Sequence, residues 1–241
     1  MPHFTEFTPL YLIGAFHWVR FAILFIQLEI MRLWVTILLS IFYMTCKGQS
    51  TGELRLKGNY SALDSIQITD SYYKAHDAVH QLLAVANSIW DVKPQAGQSK
   101  KTLRKDRWEN EDAFVTWLGK AEKIRLVRRR IRKIHNKFRA NLNLVVTRED
   151  KGKCNRWVGA WAIPFGKIKI ILCENFFHSV HLQEKIIVHE LGHEAGILFH
   201  RGIHNCRAAK RAATAKNNVA KRSTENYAWL AVSYLGKDCT Y

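Results

Sequence analysis

At 241 residues, 48% of them hydrophobic, the chain is long enough for one domain with a sizeable core plus a short appendage, and its sequence shows no internal repeat. That excludes a solenoid or a propeller. The formal charge is +17 and the pI is near 9.8. The first 46 residues add nothing to that charge, because Arg20 and Arg32 cancel Glu6 and Glu29. The excess therefore sits in the folded part. It favours anionic surroundings, whether nucleic acid, phospholipid headgroups, acidic glycans or acidic substrates, without choosing among them.

Residues 18 to 45 are strongly apolar, but Glu29 and Arg32 interrupt the run, so it fits poorly as one spanning helix of about 20 apolar residues. Starting at Met31 gives a better parse: Met31-Arg32 as a short positive region, Leu33 to Met44 as an apolar stretch, and Cys46 at its end. This predicts an export signal. Ile41 to Cys46 followed by Lys47-Gly48-Gln49-Ser50 resembles a bacterial lipoprotein signal, although Tyr43 and Met44 stand where small residues are usual. Lipidation at Cys46, ordinary cleavage and an uncleaved anchor all stay open. Each exports the domain, and the first and last hold it on a membrane. Residues 1–46 are thus read as an N-terminal extension and signal, 47–60, with Gly48, Gly52 and Gly58, as a linker, and 61–241 as the folded domain.

From Asp70 to Trp90, the residues Tyr72, His76, Val79, Leu83, Ala86 and Trp90 recur at steps of three and four, predicting one long helix. His76 and His80 lie four apart on it. With no carboxylate in the frame, they are read as partly exposed polar positions. Residues 91–110, with Pro94 and Gly97, read as a loop, and Asp112 opens a short helix through Phe114, Trp117 and Leu118. Between Lys120 and Arg139 there are ten Lys or Arg and one Glu, with Ile124, Val127, Ile131, Ile134 and Phe138 on one face. That is a basic amphipathic helix, a solvated face or a grip for phosphates. No exposed aromatics interleave with the charges as a base-stacking surface requires, which argues against nucleic acid.

The period then changes to two. Leu142 to Val146, Trp157 to Ile163 and Ile168 to Leu172 read as strands, with a hairpin turn at 164–167, giving a small antiparallel sheet whose last strand runs beside a substrate cleft. Four cysteines remain besides Cys46, and export favours their oxidation. Of three possible pairings, Cys154 with Cys173 and Cys206 with Cys239 are favoured, and the absence of any C-x-x-C spacing argues against a cysteine-bound metal.

The chemistry concentrates in His189-Glu190-Leu191-Gly192-His193, an H-E-x-x-H stretch. Leu182, Ile186, Ile187 and Leu191 around it form the buried stripe of a helix. Residues four apart share a helical face, so His189 and His193 can reach one zinc ion at about 2.0 to 2.1 Å. Glu190 lies about 100° around the helix, placed to take a proton from a water on that ion. This predicts a zinc endopeptidase.

A wider pattern agrees. Val115-Thr116-Trp117-Leu118-Gly119, then Cys154, Trp161 to Pro164, Lys169 to Phe177, the H-E-x-x-H, Gly202, Cys206 and Thr224 to Ala231 occur in an order that resembles the aspzincin metallopeptidases, the deuterolysin and lysine-specific metallo-endopeptidase group. The resemblance implies a mainly helical α+β zincin-like domain, one Zn2+ held by His189 and His193, Glu190 as general base, and protein or peptide substrates. It also implies an Asp as third ligand and a Tyr shortly after it. The segment from Glu194 to Cys206 contains neither. His200, two residues before Gly202, is the preferred substitute, with His204 next and, behind them, Glu225 or no third protein ligand. If His200 binds zinc, His204 is left to steady the oxyanion in the tyrosine's place. The rival expectation is a catalytically inactive, zinc-stabilised module that binds an anionic surface through the basic helix 120–139.

Overall fold

The chain divides into two units, Met1–Ser50 and Thr51–Tyr241. The computed structural model describes residues 53–140, 142–147, 154, 158–163, 169–198, 203–215 and 218–239, all in the second unit. The export signal with Cys46, the hairpin turn expected at 164–167, and His200 lie outside the described residues. Among the described residues, no helix is long and apolar enough to cross a membrane.

The domain is α+β and mainly helical. Strand β1 (Leu54–Gly58) leads into α1 (Ala62–Trp90), followed by α2 (Lys100–Glu109), α3 (Asp112–Leu118) and α4 (Ile124–Phe138). Strands β2 (Leu142–Val146), β3 (Ala160–Ala162) and β4 (Lys169–Leu172) come next. Helices α5 (Glu174–His178), α6 (Gln183–Glu194), α7 (Cys206–Thr214) and α8 (Thr224–Ser233) complete the domain. Helix α1 starts earlier than its apolar stripe suggests, because Ser61 and Asp64 form a capping box. The Ser61 hydroxyl accepts the Asp64 N–H at 3.1 Å, and the Asp64 carboxylate accepts the Ser61 N–H at 2.9 Å.

Three expectations need correction. First, the stretch read as a linker contains β1, so the compact unit begins at Thr51 rather than at residue 61. Only Leu54 and Leu56 mark that strand, too few for a period to show. Second, the supposed loop at 91–110 holds α2, which buries only Trp108 and therefore has no apolar stripe. Tertiary contacts hold it instead. The Trp108 indole donates to the Gly119 carbonyl at 2.8 Å, and Arg104 lies 3.5 Å over the Trp90 ring and donates to the Trp90 carbonyl.

Third, the sheet is mixed, in the order β1-β2-β4-β3. β1 pairs parallel with β2, β2 pairs parallel with β4, and only β3 on β4 is antiparallel. Helices α1 to α4 intervene between β1 and β2, so the chain returns to the sheet in the direction in which it left. It follows that β4 is an interior strand and β3 is the edge, the reverse of the expected placement beside the cleft.

Helix α6 packs on β3, α1 and α8. Its start is tied to α1 by buried polar bonds: Ser71 Oγ donates to Gln183 Oε1 at 2.8 Å, and Gln183 donates on to the Phe176 carbonyl. Its crossing with α8 depends on Gly192, where a Cβ would come within 2.9 Å of Thr224 Cγ2. That close approach lets α8 deliver side chains to the first turns of α6. On the far side, Asn226 donates to the carbonyls of Trp117 and Ala209, fixing α8 to α3 and α7.

Cys154–Cys173 and Cys206–Cys239 are disulfides, with Cα atoms 5.4 and 5.5 Å apart. Two disulfides are consistent with an exported protein. Thiol counting on the unfolded, unreduced protein is expected to find none of these four cysteines reactive. Reduction should lower the melting temperature, since each bridge contributes about 2 to 4 kcal/mol. Four reactive thiols would contradict the pairing.

Candidate metal centre

The helix of the H-E-x-x-H stretch ends where its last imidazole needs a carbonyl. Gly196, at φ +81°, closes α6. The Ile197 N–H returns to the Gly192 carbonyl at 3.0 Å and the Gly196 N–H to the His193 carbonyl at 2.9 Å, a Schellman closure that a glycine adopts without strain. This turn carries the Ile197 carbonyl to 3.0 Å from His193 Nδ1. Glycine here therefore acts on ring orientation as well as on helix length.

His189 is oriented from the other side. Its Nδ1 lies 2.8 Å from Glu225 Oε2, on α8. Glu225 is 1% exposed and is held by two further donors, Lys185 Nζ at 2.8 Å and the Trp229 indole at 2.9 Å, both on Oε1. Burial works against ionisation of Glu225, but His189 and Lys185 together outweigh it and hold the carboxyl down at about 2. Burial lowers His189, keeping the imidazole neutral.

The two tautomers follow from these partners. A carboxylate and a carbonyl can only accept, so each Nδ1 carries the proton and each Nε2 is left with a lone pair. The two Nε2 atoms lie 3.2 Å apart. Two lone pairs at that distance repel unless a cation lies between them. A tetrahedral zinc with nitrogens at about 2.0 to 2.1 Å needs a separation of roughly 3.3 Å. The donor set therefore fits zinc, with His189 and His193 as the imidazoles that would hold it.

Glu190 faces the edge strand. Its Oε2 accepts the Ala162 N–H at 2.7 Å. Burial pushes its carboxyl up to about 8, with the Ala162 bond acting in the opposite direction. A carboxylate near that value can both take and return a proton at neutral pH. The hydrogen bonds joining β3 to β4 run through Gly159 and Ile163, so the backbone groups of Ala160 and Ala162 alternate towards the free edge.

A cleft of about 620 Å3 opens over the site, lined by Trp161, Leu182, Ile186 and Leu198 around His189, Glu190 and His193. His204 lies exposed at its rim, ahead of α7, whose cap is Asn205, and its charge bears on His189. The structure thus brings His189, Glu190, His193 and His204 to one cleft. Glu225, which sequence reading placed behind the histidines as a metal ligand, lies on the Nδ1 side of His189 and orients that ring. Lys185 and Trp229 were missed because their relevance depends on α8 crossing α6. The spacing of Lys185 four residues before His189 was the only local signal.

Replacing Glu225 by Ala is expected to weaken zinc binding by about 10- to 100-fold, as loss of a partner behind a ligating histidine does. Glu225→Gln should recover part of the loss by keeping an acceptor. Titration against a competing chelator checks this, and unchanged affinity in the Ala variant would remove Glu225 from the site.

Comparison with protein families, with curated proteins and with solved structures finds no match for this chain.

Proposed function

We propose that this protein is a zinc-dependent endopeptidase of the aspzincin kind, exported and held at a membrane by its N-terminal segment. The observation that carries the reading is the pair of Nε2 atoms of His189 and His193 3.2 Å apart, beside a buried carboxyl pushed up to about 8. A zinc ion held there supplies a water acidified towards neutral pH and a positive charge for the scissile carbonyl. Glu190 takes the proton of the attacking water and returns it to the leaving amine. The free edge of β3 offers the backbone groups of Ala160 and the carbonyl of Ala162 to an extended peptide, adding it as a strand, while the Ala162 N–H stays on Glu190. Leu182, Ile186 and Leu198 give the cleft apolar walls against which apolar side chains of a substrate can rest.

His200 is the preferred third zinc ligand, with His204 then set to steady the oxyanion. The comparison of His200→Ala with His204→Ala, each titrated with a chelator, decides between them, and the ligand is the one whose loss weakens zinc far more than about 100-fold. The function is tested by incubating the full chain with a reduced, unfolded protein at neutral pH. Fragments that vanish on chelation and return with zinc are expected. Zinc binding with no fragments favours the second reading, a binding module working through the basic face of α4, where Arg125, Arg129, Arg132 and Lys133 are exposed.

A further inference from the structure

We propose a second metal site, independent of the first, in which His76 and His80 on α1 and His135 on α4 bind one divalent transition ion through three imidazole nitrogens. His76 and His80 are one turn apart on the same face of α1. His135 comes to them from α4, and its Nε2 lies 3.4 Å from His80 Nδ1. The ring centroids are 5.5 Å apart for His80–His135, 5.7 Å for His76–His135 and 6.4 Å for His76–His80. At the first site, His189 and His193 stand 4.9 Å apart by the same measure. Imidazoles sharing one tetrahedral ion have centroids roughly 5 Å apart, given nitrogens at about 2.0 to 2.1 Å from it. As placed, no group of three or more His, Cys, Asp or Glu side chains among the described residues is set to hold a metal ion. The widest side of this triangle is therefore the one that must close, by rotation of the His76 and His80 rings about their side-chain bonds.

The surroundings suit a cation held by neutral nitrogen. His76 and His135 are only 5% and 6% exposed, so His76 is not the partly exposed position its sequence suggested. Burial lowers both, His135 to about 4, so protons do not compete for their lone pairs at neutral pH. Asp77 stands 3.5 Å from His76 Nδ1 and favours a positive ion, while Arg139 opposes one. The same helices meet nearby, where Tyr72 donates to the Phe138 carbonyl at 3.0 Å. A metal there would staple α1 to the end of α4, and with it the entry into β2. Imidazole sets of this kind take zinc, copper or nickel, and zinc is the probe used in the test.

The test uses the full chain carrying both His189→Ala and His193→Ala, so that the first site cannot contribute. After dialysis against zinc, this protein is expected to retain one equivalent and to melt at a higher temperature than its zinc-free form. Adding His80→Gln, at a half-buried position that tolerates the change, should weaken zinc by more than about 100-fold while leaving the helical signal intact. No retained zinc and no rise in melting temperature in the double variant would overturn the proposal, as would undiminished affinity after His80→Gln. Neither result bears on the zinc held by His189 and His193.

Discussion

His193→Ala is expected to abolish zinc retention at the H-E-x-x-H site and all cleavage with it, and His189→Ala to do the same. Each imidazole is one of two supplied by a single turn of helix, and each is faced on its far side by an acceptor, His189 by the Glu225 carboxylate at 2.8 Å and His193 by the Ile197 carbonyl at 3.0 Å. Removing either ring leaves α6 supplying one nitrogen instead of two to an ion that needs three protein ligands. The loss should exceed the roughly 10- to 100-fold that disturbing an outer partner costs. The fold should survive, because α6 is anchored by Ile187, Val188 and Leu191, all buried, and not by its histidines. Circular dichroism of the purified variant separates the cases. A helical signal kept with zinc lost supports the assignment, and zinc kept at wild-type affinity in either variant contradicts it.

What the sequence revealed here is what local spacing can carry. The His189–His193 pair, the apolar stripe of α6 and the closing glycine Gly196 all act within a few residues of one another, so periodicity and spacing expose them. The disulfides were legible for a different reason: with export expected from the N-terminal segment, four cysteines leave few pairings. The rest depends on contacts distant in the chain. β1 is defined by its parallel register with β2, Leu54 opposite Leu142 and Leu56 opposite Leu144, across four helices. Two leucines in a polar stretch give no hint of that partner. Glu225 resembles any acidic residue near a helix start, and only the approach of α8 permitted by Gly192 turns it towards His189. His135 was hidden among the arginines of α4 until that helix packed against His76 and His80. The last strand, β4, was expected beside the cleft where β3 stands, because edge position is a property of the sheet order, which no single strand encodes.

The most direct measurement of the central claim is the rate of cleavage of an unfolded protein by Glu190→Gln beside the wild type, with zinc counted in both samples. Glutamine keeps the size of the side chain and can stay beside the Ala162 N–H, so the metal and the fold should remain. It cannot accept the proton of the attacking water or hand it to the leaving amine. The Glu190 carboxyl, pushed up to about 8 by burial, stands between the two imidazoles in the α6 sequence and lines the same cleft. Loss of a positioned general base costs about 100- to 10,000-fold. The expected result is equal zinc at His189 and His193 in the two proteins, with turnover in the variant reduced by that factor or more. Equal zinc and equal turnover, with contaminating protease excluded, would contradict the account.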